Sequence, residues 1–255
     1  MTKIFVLANI VVLTVNGSMK AGMITAGDIV VADSRGQGTL GIPAILKVDP
    51  QTGAQTIIST GGLLVEPSDV AFSNGHLFAV DTQLGNPGAV IKIDPSNGNQ
   101  SVLSLGNFLS DPRAISIDVD GSILVTQGDG FGGLGGLIRI DPTTGSQTVI
   151  SSAGSFIEPF DVAVNSGGNY VVSDRGPVNG TGSVFIVERD TGVQTLLAIS
   201  GNLINPRRLD LDAGGNILLM DSGLEGGGGV PQIISIDSIS GAQTVISTGG
   251  LLAAR

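Results

Sequence analysis

A unit of about 47 residues recurs through this chain, and its punctuation leaves room for little besides short strands and tight turns. The clearest copy runs from Pro159 to Asn205: an apolar opening PFDVAV, a second apolar run YVVSD, a loop rich in Gly, and a hairpin that resumes at Gln194-Thr195. Further copies occupy residues 67–111, 112–158 and 206–255, and a copy with a degraded opening lies within residues 18–66. The second run reads IVVAD, LFAVD, ILVTQ, YVVSD and ILLMD, starting at Ile29, Leu77, Ile123, Tyr170 and Ile217. Continuous apolar runs this short predict strands covered on both faces.

A third run follows in each copy, AILKVD, AVIKID, GLIRID, SVFIVE and QIISID, ending in an acidic residue four positions before a Gly. The pairs are Asp49/Gly53, Asp94/Gly98, Asp141/Gly145, Glu188/Gly192 and Asp237/Gly241. This is hairpin chemistry, in which the carboxylate receives nearby backbone N–H groups and Gly takes positive φ. A fourth strand then begins at Gln55, Gln100, Gln147, Gln194 or Gln243. Four short strands per copy, with no helical period, predict an all-β fold: a β-propeller of four-stranded antiparallel blades, with five visible repeats. A parallel β-helix is the rival architecture, but its rungs are shorter and lack such hairpins.

Composition narrows the function classes. Net charge is −10, with 12 Lys and Arg against 22 Asp and Glu, which argues against nucleic acid and anionic lipid as partners. With no Cys, thiol catalysis and thiolate zinc sites are excluded, and one His, His76, removes His-pair metal sites.

At the amino terminus Lys3 precedes the apolar run Ile4 to Val15, and Asn16-Gly17 follows. Residues 1–17 fit a secretory leader, implying an extracellular or periplasmic protein, or else a strand that closes the sheet array. The run is too short to cross a bilayer as a helix, so no transmembrane segment is expected.

The segments PSDVAFSNGHLFAVD, PFDVAVNSGGNYVVSD and PRRLDLDAGGNILLMD resemble the NHL-type repeat, within the wider group of gluconolactonase-like and streptogramin-lyase-like propellers. The resemblance covers residues 27–255 and makes six blades the commonest expectation, beside the five that the copies themselves suggest. It carries little about activity, because such repeats serve binding scaffolds as well as enzymes.

In a propeller, the loop entering each first strand and the loop after each second strand share one face. Glu66, Glu158 and Asn205 precede the proline that opens a copy, while Asp174 and Asp221 close second strands. These five are the candidate ligands for Ca²⁺ or Mg²⁺, which prefer all-oxygen sets. The alternative is that they bond backbone donors in their own loops, as structural repetition would produce. Just past each proline the copies diverge, and Asp69, Arg113, Asp161, Arg207 and Arg208 there are candidates for a polar ligand-binding channel mouth, or for an ion-pair network between blades.

Three weaker signals remain. Gly36-x-Gly38-x-x-Gly41 leads into Pro43 and another strand rather than a helix, so it reads as a loop. Gly128 to Gly136 and Gly226 to Gly229 are loops as well, and Asn99 and Asn179 fit glycosylation acceptors. The expected function is a non-catalytic binding scaffold, exported, that meets a protein, glycan or small ligand on its loop face. The alternative is a metal-dependent lactonase-like or lyase-like enzyme with a carboxylate-bound cation. Lyases of this group are expected to use His near the metal, whereas His76 opens a second strand, away from that face.

Overall fold

The computed structural model describes residues 10–12, 24–25, 27–35, 41–85, 87–176, 181–223 and 230–249. The leader-like run outside Ile10–Val12, residues 36–40 of the first Gly motif, Gly226 to Gly229 and Asn179 lie outside the described residues.

The described residues form twenty strands and no helix. The first sheet holds β1 (Ile10–Val12), β2 (Ile29–Asp33), β3 (Ala44–Val48) and β4 (Gln55–Thr60), and the second holds β5 (Pro67–Ser73), β6 (His76–Asp81), β7 (Ala89–Ile93) and β8 (Gln100–Leu105). The third comprises β9 (Pro112–Ile117), β10 (Ile123–Gln127), β11 (Gly136–Ile140) and β12 (Gln147–Ser152). The fourth comprises β13 (Pro159–Val164), β14 (Tyr170–Asp174), β15 (Ser183–Val187) and β16 (Gln194–Ile199). The fifth comprises β17 (Pro206–Leu211), β18 (Ile217–Asp221), β19 (Gln232–Ile236) and β20 (Gln243–Thr248). In every sheet the strands neighbour one another in chain order. This is the β-propeller expected from the repeat, with five four-stranded blades.

The chain divides into two compact units, Met1–Val125 with Ile140–Gln147, and Thr126–Arg139 with Thr148–Arg255. In the first, Val30, Ile45, Val70, Leu77, Ile91 and Ile93 belong to one buried cluster. In the second, Val171, Val184, Leu203, Leu209, Ile217 and Ile234 belong to another.

The Gln that opens a fourth strand is what joins one blade to the preceding one. In the first unit Gln100 Nε2 donates to Ser59 Oγ at 2.8 Å and to the Gly61 carbonyl at 3.0 Å, while Oε1 accepts the Leu63 N–H at 2.6 Å. Gln147 repeats the pattern on Ser104, Gly106 and Phe108, and in the second unit Gln194 repeats it on Ser151, Ala153 and Ser155. The Ser hydroxyls complete the joint by donating to the carbonyls of Gly98, Gly145 and Gly192. Each half-buried side-chain amide thus has both its oxygen and its nitrogen bonded to the preceding blade.

Second strands are not all alike. β10 and β14 are buried throughout, as continuous apolar runs predict, but β2 and β18 alternate buried and half-buried residues.

Candidate functional site

The Asp that closes a second strand organises the end of its blade. Asp81, Asp174 and Asp221 are buried. Asp81 accepts the backbone N–H groups of Val65, Glu66, Gln83 and Leu84 at 2.8 to 3.0 Å. Asp174 accepts those of Ile157, Glu158 and Gly176, and Asp221 those of Ile204, Asn205 and Gly223. Burial raises the Asp174 and Asp221 carboxyls above the ordinary carboxylate range, while these N–H groups pull the other way.

A second bond repeats beside this one. The N–H of Thr82, Arg175 and Ser222 donates to the carbonyl of Glu66, Glu158 and Asn205 respectively, at 3.1, 3.0 and 3.1 Å. The residue after the Asp and the residue before the Pro are thereby set side by side. What those two side chains are decides what each blade end can do.

First strands add a register shift just past the proline. Pairing jumps between Pro159 and Asp161 in β13, and between Pro206 and Leu209 in β17. Such bulges re-aim side chains, and here they carry Phe160, Arg207 and Arg208. Thr126 Oγ1 donates to the Phe160 carbonyl at 2.9 Å, and Ser173 Oγ to the Arg207 carbonyl at 2.7 Å, so the bulged backbone is held.

The result, in the second unit, is a cluster of arginines about one ring. The guanidinium carbons of Arg175, Arg207 and Arg208 stand 5.6, 5.3 and 5.5 Å from the Phe160 centroid, within cation–π range. Arg175 Nη1 pairs with Glu158 Oε1 at 3.0 Å, and Arg175 Nε donates to Asn205 Oδ1 at 2.8 Å. Arg207 Nε donates to Ser222 Oγ at 2.9 Å. Arg208 Nη1 stands 4.0 Å from Asp161 Oδ1, whose carboxylate also accepts the N–H groups of Val162 and Leu209. All three arginines are half-buried, so the cluster reaches solvent.

Of the five metal candidates, Glu158 and Asn205 are brought together through Arg175, while Asp174 holds the Glu158 N–H and Asp221 the Asn205 N–H. Their oxygens face other partners: Arg175 takes those of Glu158 and Asn205, and backbone N–H groups take those of Asp174 and Asp221. Glu66 has an exposed side chain in the first unit. Among the described residues no group of three or more His, Cys, Asp or Glu is arranged to hold a metal ion.

Of the channel-mouth candidates, Asp161, Arg207 and Arg208 meet in the second unit. Arg113 pairs with Asp111 at 2.6 Å in the first unit, where Asp69 accepts the N–H groups of Val70 and Ile115. His76, at the opposite end of β6 from Asp81, lies 3.1 Å through Nδ1 from the Asn74 carbonyl oxygen. Sequence reasoning missed Arg175 and Phe160 as partners. The signal was present, since the position after the second-strand Asp or Gln reads Ser34, Thr82, Gly128, Arg175 and Ser222, and an arginine occurs there in one copy alone.

No protein-family model and no curated protein sequence matches the chain. Among solved structures, it is similar to a chain of the nidogen/laminin complex, with a TM-score of 0.64 and 17% identity over 87% of this chain and 75% of that one. A gluconolactonase from Xanthomonas campestris gives a TM-score of 0.65 and 14% identity over 88% and 72%. Virginiamycin B lyase from Staphylococcus aureus gives 0.62 and 14% over 90% and 68%. These likenesses show the propeller fold, which binding proteins and enzymes share.

Proposed function

We propose that this chain is an exported, non-catalytic binding module that takes its ligand at the blade ends of the second unit, on Arg175, Arg207, Arg208 and Phe160. The observation that supports it is the convergence of three guanidinium groups on one ring in a chain of net charge −10 with 12 Lys and Arg in all. Like charges so placed repel, and hairpin or packing needs common to all copies do not call for them. Export is a separate part of the reading: it is supported by Lys3 and the apolar run Ile4 to Val15, and it is opposed by the pairing of Ile10–Val12 of that run with β2 in the first blade.

The gluconolactonase and lyase likenesses keep catalysis as the competing reading. Purified protein, with millimolar Ca²⁺, is tested on a panel of lactones by proton release, and a mixed library of acids, neutral sugars and peptides is screened by thermal shift. The binding reading expects lactone opening at the uncatalysed rate and stabilising compounds whose effect disappears in Arg207→Ala/Arg208→Ala. Protein-dependent ring opening, or stabilisation unaltered in that variant, overturns it.

A further inference from the structure

The side-chain joint that binds a blade to the one before it is filled by Gln100, Gln147, Gln194 and Gln243. Gln55, which opens the fourth strand of the first copy, is exposed, and its amide meets no partner among the described residues. Its hairpin is open as well. A Cβ on Gly98, Gly145, Gly192 or Gly241 would press on a carbonyl of the preceding copy, at Ile58, Leu103, Ile150 or Leu197, whereas one on Gly53 meets nothing within 4 Å. The matching half of a joint is open on β20: Ser59, Ser104 and Ser151 are buried at the other joints, but Ser247 in the same place is exposed. Ile246 beside it is 57% exposed, where Ile58 of the first copy packs against a buried cluster.

We propose that a second copy of this chain occupies these faces, head to tail, with Gln55 of one molecule seated on β20 of the next. Both halves of the contact already work elsewhere in the chain. Residues 53–64 read GAQTIISTGGLL and residues 241–252 read GAQTVISTGGLL, alike except at Ile57 and Val245. The ISTG stretch of the first, residues 58–61, receives Gln100. The GAQT stretch of the second, residues 241–244, places Gln243 on the Ser200 carbonyl and the Asn202 N–H. The two open faces carry the same sequences in exchanged places, GAQT around Gln55 and ISTG around Ser247. A second copy therefore supplies to each face the partner that its sequence already binds.

Built on the pattern of the filled joints, the contact has Gln55 Nε2 donating to Ser247 Oγ and to the Gly249 carbonyl, while Ser247 Oγ donates to the Gly53 carbonyl. Ile246 is covered at the same time, and removing its apolar surface from water adds to the hydrogen bonds. The two faces differ, so the contact is heterologous and each molecule keeps one face of either kind for a further neighbour. A net charge of −10 on every copy opposes association, and salt screens that repulsion. The contact uses none of the residues of the arginine cluster, so either proposal can fail alone.

The test is sedimentation velocity over a concentration series at about 0.15 M salt, where the screening length is about 8 Å. The parent's weight-average mass should rise above that of one chain as concentration increases. Gln55→Glu turns the amide donors into an acceptor that faces the Gly249 carbonyl, and Ser247→Tyr puts a ring where the other joints bury a serine. Each variant alone should stay at the mass of one chain. Mixed in equal amounts they should double in mass and stop there, because each retains one intact face. Both positions are exposed, so at low concentration both variants should melt as the parent does, and Ser247→Arg serves if Ser247→Tyr melts early.

The inference is overturned by a parent that keeps the mass of one chain throughout, by either variant associating as the parent does, or by a mixture no heavier than its components. A parent of single-chain mass whose melting temperature Gln55→Glu lowers would place the joint within one molecule, and that result too rejects the second copy.

Discussion

The carboxylate of Asp161 accepts the backbone N–H of Leu209 at 2.9 Å, across 48 positions of sequence, and ties β13 to β17 at the level of the bulges. Asp69 does the same for Ile115 at 3.0 Å in the first unit. In each case the other oxygen takes the next residue's own N–H, at Val162 or Val70.

Both aspartates should therefore matter equally to stability and unequally to binding. Asp69→Ala and Asp161→Ala each orphan two buried N–H groups, and each loss of a partner costs about 1–3 kcal/mol. Asparagine should rescue poorly, because one of its two acceptors becomes a donor facing an N–H. Urea unfolding checks the first point. The thermal-shift screen checks the second, since only the Asp161 variant alters the surroundings of Arg208.

The hairpin glycines offer a controlled pair. A Cβ on Gly192 would lie 2.0 Å from the Ile150 carbonyl oxygen, whereas one on Gly53 meets nothing within 4 Å. Both have positive φ, 69° and 72°. Gly53→Ala should cost the left-handed strain, about 1–2 kcal/mol. Gly192→Ala should add about 1–3 kcal/mol of overpacking, because the blades would have to part. Equal melting temperatures for the two variants would contradict the close approach.

Acid titration should separate two kinds of aspartate. Burial raises the native Asp174 carboxyl above its ordinary 3.8, so between those values the native state binds more protons than the unfolded chain, and stability falls as pH rises. Its contribution is complete below the unfolded value and is lost as pH climbs through the native one. Asp141 is lowered by the N–H groups of Thr144 and Thr143, so its contribution is present above 3.8 and is lost as pH falls through the native value. Measured over an acid series, the stability difference between parent and Asp174→Asn should widen toward low pH, and that between parent and Asp141→Asn should narrow.

Removing the guanidinium from the blade end should invite a cation. In Arg175→Ala, Glu158 and Asn205 lose the group that engages their oxygens, so Ca²⁺ should stabilise that variant more than the parent. At free metal of about 100 times Kd, a single site contributes about 2.7 kcal/mol by linkage, a shift of a few degrees in Tm. Equal Ca²⁺ shifts in parent and variant would place any cation elsewhere.

The architecture was legible because hairpin chemistry is local. Asp49, Asp94, Asp141 and Asp237 announce their turns within five residues, and each does receive the N–H groups of its own loop. Blade number was open between five and six, since the copies and the resemblance disagreed, and five sheets are found among the described residues. The joints were not legible. Gln100 and its equivalents marked the start of a strand, but their role depends on a serine 41 or 43 positions away. Asp174 admitted two readings in sequence, as metal ligand or loop holder. Its bonds to Ile157, Glu158 and Gly176 belong to the second kind. Arg175 escaped because repetition draws the eye to what recurs, and it occurs in a single copy.

The glutamine joints also bear on how such a chain can grow. Each copy from the second onward brings an amide that fits the serine, carbonyl and N–H at the end of the copy before it, and Gln243 still finds the Ser200 carbonyl and Asn202 N–H although its serine position is Ala198. A duplicated segment inserted in frame meets a compatible partner at both seams, whereas a cut inside a copy strands donors on one side and acceptors on the other. Gene duplication in whole units is thus the change that this chemistry tolerates best, and single copies are left free to vary at the few positions, such as Arg175 and Arg208, that no seam requires.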